Sequence, residues 1–298
     1  MQAAVRTGTA LPVLALTVNA FIWGVSWWPF RQFQALGMHP LWTTAAVYAL
    51  VLAALTAWQR GVWAGLARTP SLWLLVLASG TTNAAFNWGV TVGDVVRVVL
   101  LFYLMPLWAL LLARLILGER LTPMAALRMV LALAGAAVVL WPAGGGWPWP
   151  RNLPEALGVL GGLTFALNNV WLRREAHRSD AERATAMFLG GTLVSAVVAG
   201  SLTWHGAVAV PPLPSAGTAL ALLALSTAFI GANLGLQYGA ARLRANVTAV
   251  VMLTEIVFAA VSAAALGAGT LDARLLLGGS LIVAAALLSV WQPGAAGH

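Results

Sequence analysis

Apolar runs long enough to cross a membrane recur along nearly the whole chain, and the short connections between them carry most of the charged side chains. A helix needs about 20 predominantly apolar residues to span the hydrocarbon core of a bilayer. Ten runs come close to that length, at 11–30, 40–58, 71–92, 97–117, 123–142, 154–172, 184–203, 216–239, 247–268 and 274–292. The pattern predicts an all-α integral membrane protein with ten transmembrane helices.

The amino-acid composition supports this class of protein. Of the 298 residues, 61% are hydrophobic and 8% are charged, whereas a soluble domain carries about 25% charged residues. Too few charges remain to solvate the surface of a soluble protein. The chain has no cysteine, which excludes disulfides, thiolate metal sites and thiol nucleophiles.

The arginines predict the orientation of the helices. The formal net charge is +8, and every basic residue other than histidine is an arginine. With the N-terminus in the cytoplasm, twelve arginines fall at the inner side, and Arg31, Arg97, Arg151 and Arg274 fall at the outer side. Because short cytoplasmic connections are enriched in arginine, we expect a multi-pass protein of the bacterial inner membrane with both termini in the cytoplasm. The first apolar run is expected to be a spanning helix and not a cleaved signal peptide.

The chain also resembles itself at a shift of 150 residues. The segment ASGTTNAAFNWGV then lies over AFIGANLGLQYGA, so that Asn83 meets Asn233 and Asn87 meets Gln237. Identities are sparse along this register, but polar and small positions coincide. The coincidence indicates an internal repeat.

The repeat divides the chain into two five-helix units, 1–150 and 151–298. Since five is an odd number, the second unit must cross the membrane in the opposite direction to the first. Inverted repeats of this kind recur in secondary transporters, where the substrate site lies near the midplane at the repeat interface. We therefore expect a central cavity between the two units.

Two segments carry a resemblance to a known family. MPLWALLLARLILGERLT in the first unit is similar to the ten-helix EamA-type exporters of the drug/metabolite transporter superfamily. Its counterpart TEIVFAAVSAAALGAGTLD is degraded, with Ile256 in the place of Pro106 and Gly269 in the place of Glu119. Through its tryptophan-rich helices the chain looks most like the bacterial aromatic amino acid exporters, although tryptophans also form belts at membrane interfaces. The resemblance implies secondary export by alternating access.

Paired amides are the first candidate site residues. Asn83 and Asn87 lie four residues apart and so share one helical face, as do Asn233 and Gln237 in the second unit. An amide facing lipid is costly. Two interpretations remain open: a hydrogen bond between helices, or a polar cavity in which amides bind both the ammonium and the carboxylate of an amino acid.

Further candidates lie on the first, fourth and sixth predicted spans. These substrate-binding candidates are Asn19, Trp23, Trp27, Phe102, Tyr103 and Asn168. The aromatic members would form a slot for a substrate ring, or would simply pack between helices. Pro106 cannot donate a hydrogen bond to the carbonyl of Phe102, which predicts either a static bend or a hinge for gating.

Glu255 is the one acidic residue that the predicted spans place away from a membrane surface. It lies nine residues into the ninth span, where an ionised group costs about 2.5–3.5 kcal/mol. One hypothesis is that Glu255 binds a substrate ammonium or takes up a proton during transport. The alternatives are a structural hydrogen bond and a misplaced span.

Other functional classes fit the sequence less well. It has no HExxH motif, no histidine within a predicted span and no GxxxxGK[ST] loop, so we expect neither an enzyme nor an ATP-driven pump. A scaffold or channel remains an alternative, as does a proton-coupled exporter of cationic or lipophilic drugs that uses Glu255. We expect no cofactor or metal, a small-molecule substrate, contact with the lipid bilayer, no nucleic acid, and a monomer.

Overall fold

The computed structural model describes residues 3–58, 61–117, 123–141, 147, 149–175, 177–240, 242–243, 248 and 251–290. Within these ranges the regular secondary structure is helical, and no strand occurs. The helices are α1 (Ala3–Val25), α2 (Trp27–Ala35), α3 (Pro40–Trp58), α4 (Val62–Arg68), α5 (Ser71–Val92), α6 (Val95–Phe102), α7 (Met105–Leu117), α8 (Pro123–Leu140), α9 (Leu153–Arg174), α10 (Asp180–Trp204), α11 (Ala216–Ala240), α12 (Thr254–Ala265) and α13 (Ala273–Val290). The predicted all-α class is confirmed.

Five of the described helical stretches are long and apolar enough to cross a membrane by themselves. They are Ala10–Ala35, Pro40–Trp58, Val95–Ile116, Asp180–Trp204 and Ala216–Gly239. Three shorter apolar helices, Ala126–Leu140, Thr254–Ala265 and Ala273–Ala285, lie within further predicted spans. Length and composition thus support a multi-pass membrane protein, while the number of ten spans stays a prediction.

Three predicted spans are interrupted in the structure. The first is broken at Ser26, between α1 and α2, the fourth at Tyr103 and Leu104, between α6 and α7, and the ninth at Leu253, directly before α12. Pro106 follows the second break directly, as expected for a residue that leaves the carbonyl of Phe102 without its usual partner. The short helix α4 was not predicted, because its seven residues lie in a connection between two apolar runs.

Helix packing follows a pattern of exchanged partners. Helix α5 packs against α9 and α10, whereas α11 packs against α1 and α3. At the shift of 150 residues, α5 corresponds to α11, α9 to α1, and α10 to α3. The main partners of α5 and of α11 therefore correspond to each other at this shift, while the inverted repeat stays a prediction.

Glycines permit close contact between the helices of a separate pair, α8 and α13. A Cβ atom added at Gly135 would lie 2.6 Å from the carbonyl oxygen of Gly278, and one added at Gly278 would lie 2.7 Å from that of Gly135. Small residues allow helix backbones to approach in this way in membrane proteins. The pair packs only lightly on α6 and α7, and none of its residues lines the cavity described below.

The apolar core has two main parts with aromatic side chains on their facing sides. One part is built around α6 and contains Phe86, Phe102 and Tyr103. The other is built around α3 and contains Tyr48 and Phe229, together with Phe188. Trp23 packs against both parts. The space between them is the candidate site.

Candidate binding cavity

A cavity of about 690 Å³ lies between the two core regions. Its aromatic lining residues are Trp23, Tyr48, Phe86, Phe102, Tyr103, Phe165, Phe188 and Phe229. Its polar lining residues are Asn19, Ser79, Thr82, Asn83, Asn168, Asn169, Asn233 and Glu255. The described lining thus combines aromatic rings, amides and one carboxylate, and includes no arginine or histidine.

The structure brings most of the predicted site residues together here. Those that line the cavity are Asn19, Trp23, Asn83, Phe102, Tyr103, Pro106, Asn168, Asn233 and Glu255. Three predicted site residues, Trp27, Asn87 and Gln237, are absent from the described lining. The local surroundings of each residue explain its absence from the lining.

Trp27 lies near one end of the molecule and has structural partners. Its indole N–H donates to Ser262 Oγ at 3.0 Å, which joins α2 to α12. The Arg31 guanidinium lies 5.0 Å from the centre of its ring, within the range of a cation–π contact. Trp27 thus has the packing role that the sequence left open, and it is absent from the described cavity lining that includes Trp23.

In each predicted amide pair, one residue lines the cavity and the other, Asn87 or Gln237, is absent from the described lining. Asn87 is fully buried and donates from Nδ2 to Thr44 Oγ1 at 3.2 Å, so it joins α5 to α3. Gln237 is exposed and donates from Nε2 to Asn233 Oδ1 at 2.6 Å. Four residues advance a helix by about 6 Å along its axis, which carries each of them one turn beyond the cavity wall.

Asn83 and Asn19 are held in place by defined hydrogen bonds. The Tyr48 hydroxyl donates to Asn83 Oδ1, and Asn83 Nδ2 donates to the Ser79 carbonyl at 2.8 Å. Asn19 Nδ2 donates to the Ala232 carbonyl at 2.7 Å and so joins α1 to α11. These side chains thus line the cavity and also link helices or turns, while their binding of a substrate stays a prediction.

Tyr48 and Phe188 are lining residues that sequence analysis missed. They bring α3 and α10 into a wall that was expected to come only from the first, third, fourth, sixth, eighth and ninth spans. Each is a single aromatic residue in an apolar run, and such a residue carries no signal that separates a cavity wall from ordinary packing. Only the placement of the helices identifies them.

Glu255 lies at a helix start and not in the middle of a continuous helix. Helix α12 begins at Thr254, after a turn at Leu253, so Glu255 occupies its first turn. The predicted depth of nine residues within one helix is corrected accordingly; residues 247, 249 and 250 lie outside the described chain. The side chain is 7% exposed, and the Tyr103 hydroxyl donates to its Oε2 at 3.0 Å. No ion pair of the described residues includes Glu255.

One end of the molecule is closed by polar contacts between distant helices. Arg97 Nε lies 2.7 Å from Glu155 Oε1, an ion pair without an aligned N–H bond from that nitrogen. Asp94 Oδ2 accepts a hydrogen bond from the Thr270 backbone N–H at 3.0 Å. Arg31 donates to the carbonyls of Thr91 and Gly93. We refer to this region, residues 31, 91–97, 155 and 270, as the Arg97 end.

The cavity lies on the side away from the Arg97 end. Asn168 and Asn169 are in the last two turns of α9, whose first turn carries Glu155. Leu236 likewise lies near the end of α11. Asn169 and the neighbouring Gln237 are exposed, whereas Asn87, one turn from Asn83 in the direction of the Arg97 end, is fully buried. Among the described residues, access to the cavity is therefore from the end opposite Arg97.

Comparison with known proteins identifies the kind of molecule that this architecture represents. Residues 10–141 match the profile of the EamA-like transporter family. Over these residues the chain is similar to the EamA-like transporter family, in agreement with the resemblance seen in the sequence.

Two curated relatives are similar to about half of the chain, and a protein of known structure shares its fold. An uncharacterized transporter from Pseudomonas aeruginosa is 31% identical over 144 residues, which are 46% of this chain and 48% of that protein. The chloramphenicol-sensitive protein RarD from the same organism is 29% identical over 140 residues, or 44% of this chain and 45% of that protein. The chain thus spans about half the length of these curated relatives. A protein of known crystal structure shares the fold with a TM-score of 0.57 at 19% identity, covering 93% of this chain and 96% of that chain.

Proposed function

We propose that the protein exports aromatic amino acids, or similar small metabolites, across the bacterial inner membrane by alternating access. The observation that carries this proposal is the cavity wall, in which aromatic rings surround several amides and a single carboxylate. Ligand sites commonly combine a mostly apolar wall with a few polar groups that fix orientation. The similarity of residues 10–141 to the EamA-like transporter family accords with a transporter and not with an enzyme.

The wall provides a place for each part of an aromatic amino acid. Trp23 and Phe229 stack with ring centres 4.7 Å apart, and Phe86 and Phe102 lie 4.8 Å apart, so a substrate ring has aromatic surfaces to contact. Glu255 would bind the ammonium group. Amide N–H groups of the asparagines would donate to the carboxylate without a fixed positive charge that slows release.

Two features support alternating access between units 1–150 and 151–298. The cavity is closed at the Arg97 end by contacts that join α6 of the first unit to residues of the second. The exchanged packing partners of the two units would allow an equivalent closure at the opposite end. In inverted-repeat transporters such an exchange is the rocking of one unit against the other.

A second candidate function is the proton-coupled export of cationic or lipophilic drugs. It is favoured by the buried carboxylate of Glu255, whose described side-chain partner is a phenol and not a cation. The name of one relative, the chloramphenicol-sensitive protein RarD, also points to a drug-related role for that protein. In this alternative Glu255 would carry either a proton or the drug.

Uptake of labelled tryptophan into proteoliposomes tests the proposal directly. Saturable uptake that phenylalanine competes and a cationic dye does not is the expected result. Asn83→Ala should weaken uptake severalfold, whereas Asn87→Ala, which alters a buried contact outside the cavity, should leave the KM within about twofold. Proton-driven dye transport without tryptophan uptake would contradict the amino acid proposal and support the drug exporter.

A further inference from the structure

The structure contains two helix breaks at equivalent positions of the two units, and only one of them has a proline. The first break, at Tyr103 and Leu104, precedes Pro106. The second, at Leu253, is 150 residues after Tyr103, and the residue at the place of Pro106 is Ile256. A residue with a backbone N–H thus stands where proline breaks the other helix, so the second break needs another cause.

The hydrogen bonds around Leu253 show that cause. The Ile256 N–H donates to the Leu253 carbonyl at 3.1 Å, three residues back, and not to Met252 four residues back. The Met252 carbonyl instead has the Tyr103 hydroxyl at 3.2 Å. The same hydroxyl lies 3.0 Å from Glu255 Oε2. One phenol from the first break therefore reaches both the free carbonyl and the carboxylate of the second.

A tyrosine hydroxyl has a single proton and cannot make two full hydrogen bonds as a donor. A bond to an ionised carboxylate is roughly twice as strong as a bond to a neutral carbonyl, so ionised Glu255 takes the proton. When Glu255 is protonated, its own O–H donates to Tyr103 Oη, and the tyrosine proton turns to the Met252 carbonyl. A substrate ammonium that binds Glu255 also weakens the hydrogen bond from the Tyr103 hydroxyl to this carboxylate, as protonation does.

We propose that Tyr103 is a positioning residue that holds the Glu255 carboxylate in the cavity and transmits its charge state to the helix break at Leu253. The proposal rests on the proposed function for the identity of the cation, but its proton-dependent part does not require that substrate. Because Tyr103 itself lies at the break between α6 and α7, the hydroxyl connects the two interrupted helices across the cavity.

Few other groups compete for this role. Helix α12 packs mainly against α1 and α6. Besides Tyr103, three titratable or charged residues belong to these two helices and their caps. Arg6 lies in the second turn of α1, Asp94 is the N-cap of α6, and Arg97 lies in the first turn of α6. Across the cavity, the Tyr48 hydroxyl is bound to Asn83. Tyr103 is thus the titratable side chain with a described hydrogen bond to Glu255.

The three tyrosines of the chain provide a matched series for the test. Tyr103→Phe removes the connecting hydroxyl, Tyr48→Phe removes a hydroxyl from the same cavity, and Tyr238→Phe removes one that lies outside it. Hydrogen–deuterium exchange of the segment 252–258 would be compared in acidic and alkaline buffer, and with and without phenylalanine. Glu255→Gln serves as a permanently neutral form.

The expected result is a proton-dependent difference in exchange that is present in the wild type, Tyr48→Phe and Tyr238→Phe and is lost in Tyr103→Phe and Glu255→Gln. Tyr103→Phe should also weaken phenylalanine binding about tenfold, while N-acetylphenylalanine, which lacks the ammonium, changes less than about twofold. A proton-dependent difference retained in Tyr103→Phe would overturn the proposal. If phenylalanine has no effect but the proton-dependent difference behaves as expected, the coupling stands and the proposed substrate is wrong.

Discussion

Glu155 and Glu175 lie at opposite ends of helix α9 and are equally buried, each 5% exposed. Their partners differ. Glu155 pairs with Arg97, which lies on another helix of the other unit. Glu175 lies near His177 and Arg178, both within three residues, at 3.8 Å. The two glutamates are thus equally buried, but Glu155 makes a long-range contact and Glu175 makes local ones.

Among the described residues, the carboxylates of Glu155 and Asp94 join segments at the Arg97 end that are distant in sequence. At the Glu175 end the described ion pairs stay within the connection 175–183. A local ion pair stabilises its own loop, whereas a long-range pair resists the separation of two helices, so only the first bears on access to the cavity.

The largest effect is expected from locking the Arg97 end covalently. A Cβ atom at Gly269 would lie 3.1 Å from Val96 Cγ2, which suits a disulfide between cysteines at the two positions. Oxidised Val96→Cys/Gly269→Cys should lose nearly all transport in proteoliposomes and regain it on reduction, because this end could no longer open. The natural chain has no cysteine, so each single variant is a clean control. Full transport by the cross-linked protein would show that the Arg97 end does not open.

A smaller effect is expected from neutralising the two glutamates in turn. Glu155→Gln removes the charge that pairs with Arg97 across two helices, and a hydrogen bond or contact to a charged group contributes about 1.5–3 kcal/mol. We expect transport kinetics to change by at least about tenfold, with a lower melting temperature. Glu175→Gln should change the kinetics less than about twofold, since it alters a local contact. Equal effects of the two variants on kinetics would contradict the distinction between the ends.

The smallest effects are expected from neutralising two aspartates, Asp94 and Asp180. Asp94 caps α6 through the Arg97 N–H and also accepts from Thr270. Asp94→Asn keeps an N-capping side chain but weakens the long-range bond, so a two- to threefold kinetic change is expected. Asp180→Asn, at an exposed residue paired locally with Arg183, should have no measurable effect, in line with surface ion pairs. A larger change in Asp180→Asn would place a functional contact at the Glu175 end.

Much of the fold could be predicted because hydropathy acts locally. The predicted spans 40–58 and 71–92 coincide with α3 and α5, since a bilayer core requires each crossing segment to be apolar and to satisfy its own backbone. Breaks were harder to predict. Pro106 indicated one of them, but the break at Leu253 has no proline, and the hydroxyl that meets the Met252 carbonyl there comes from a residue distant in sequence, Tyr103.

The sequence by itself determined the all-helical class, the membrane environment and most of the polar residues of the cavity, because amides and a carboxylate are too costly in lipid to occur there without a purpose. Tertiary structure decided the rest. Asn83 lines the cavity while Asn87 binds Thr44, and Glu155 joins two units while Glu175 stays within its loop. Each pair consists of two residues of the same type, and their roles depend on which helix lies opposite, which no local pattern encodes.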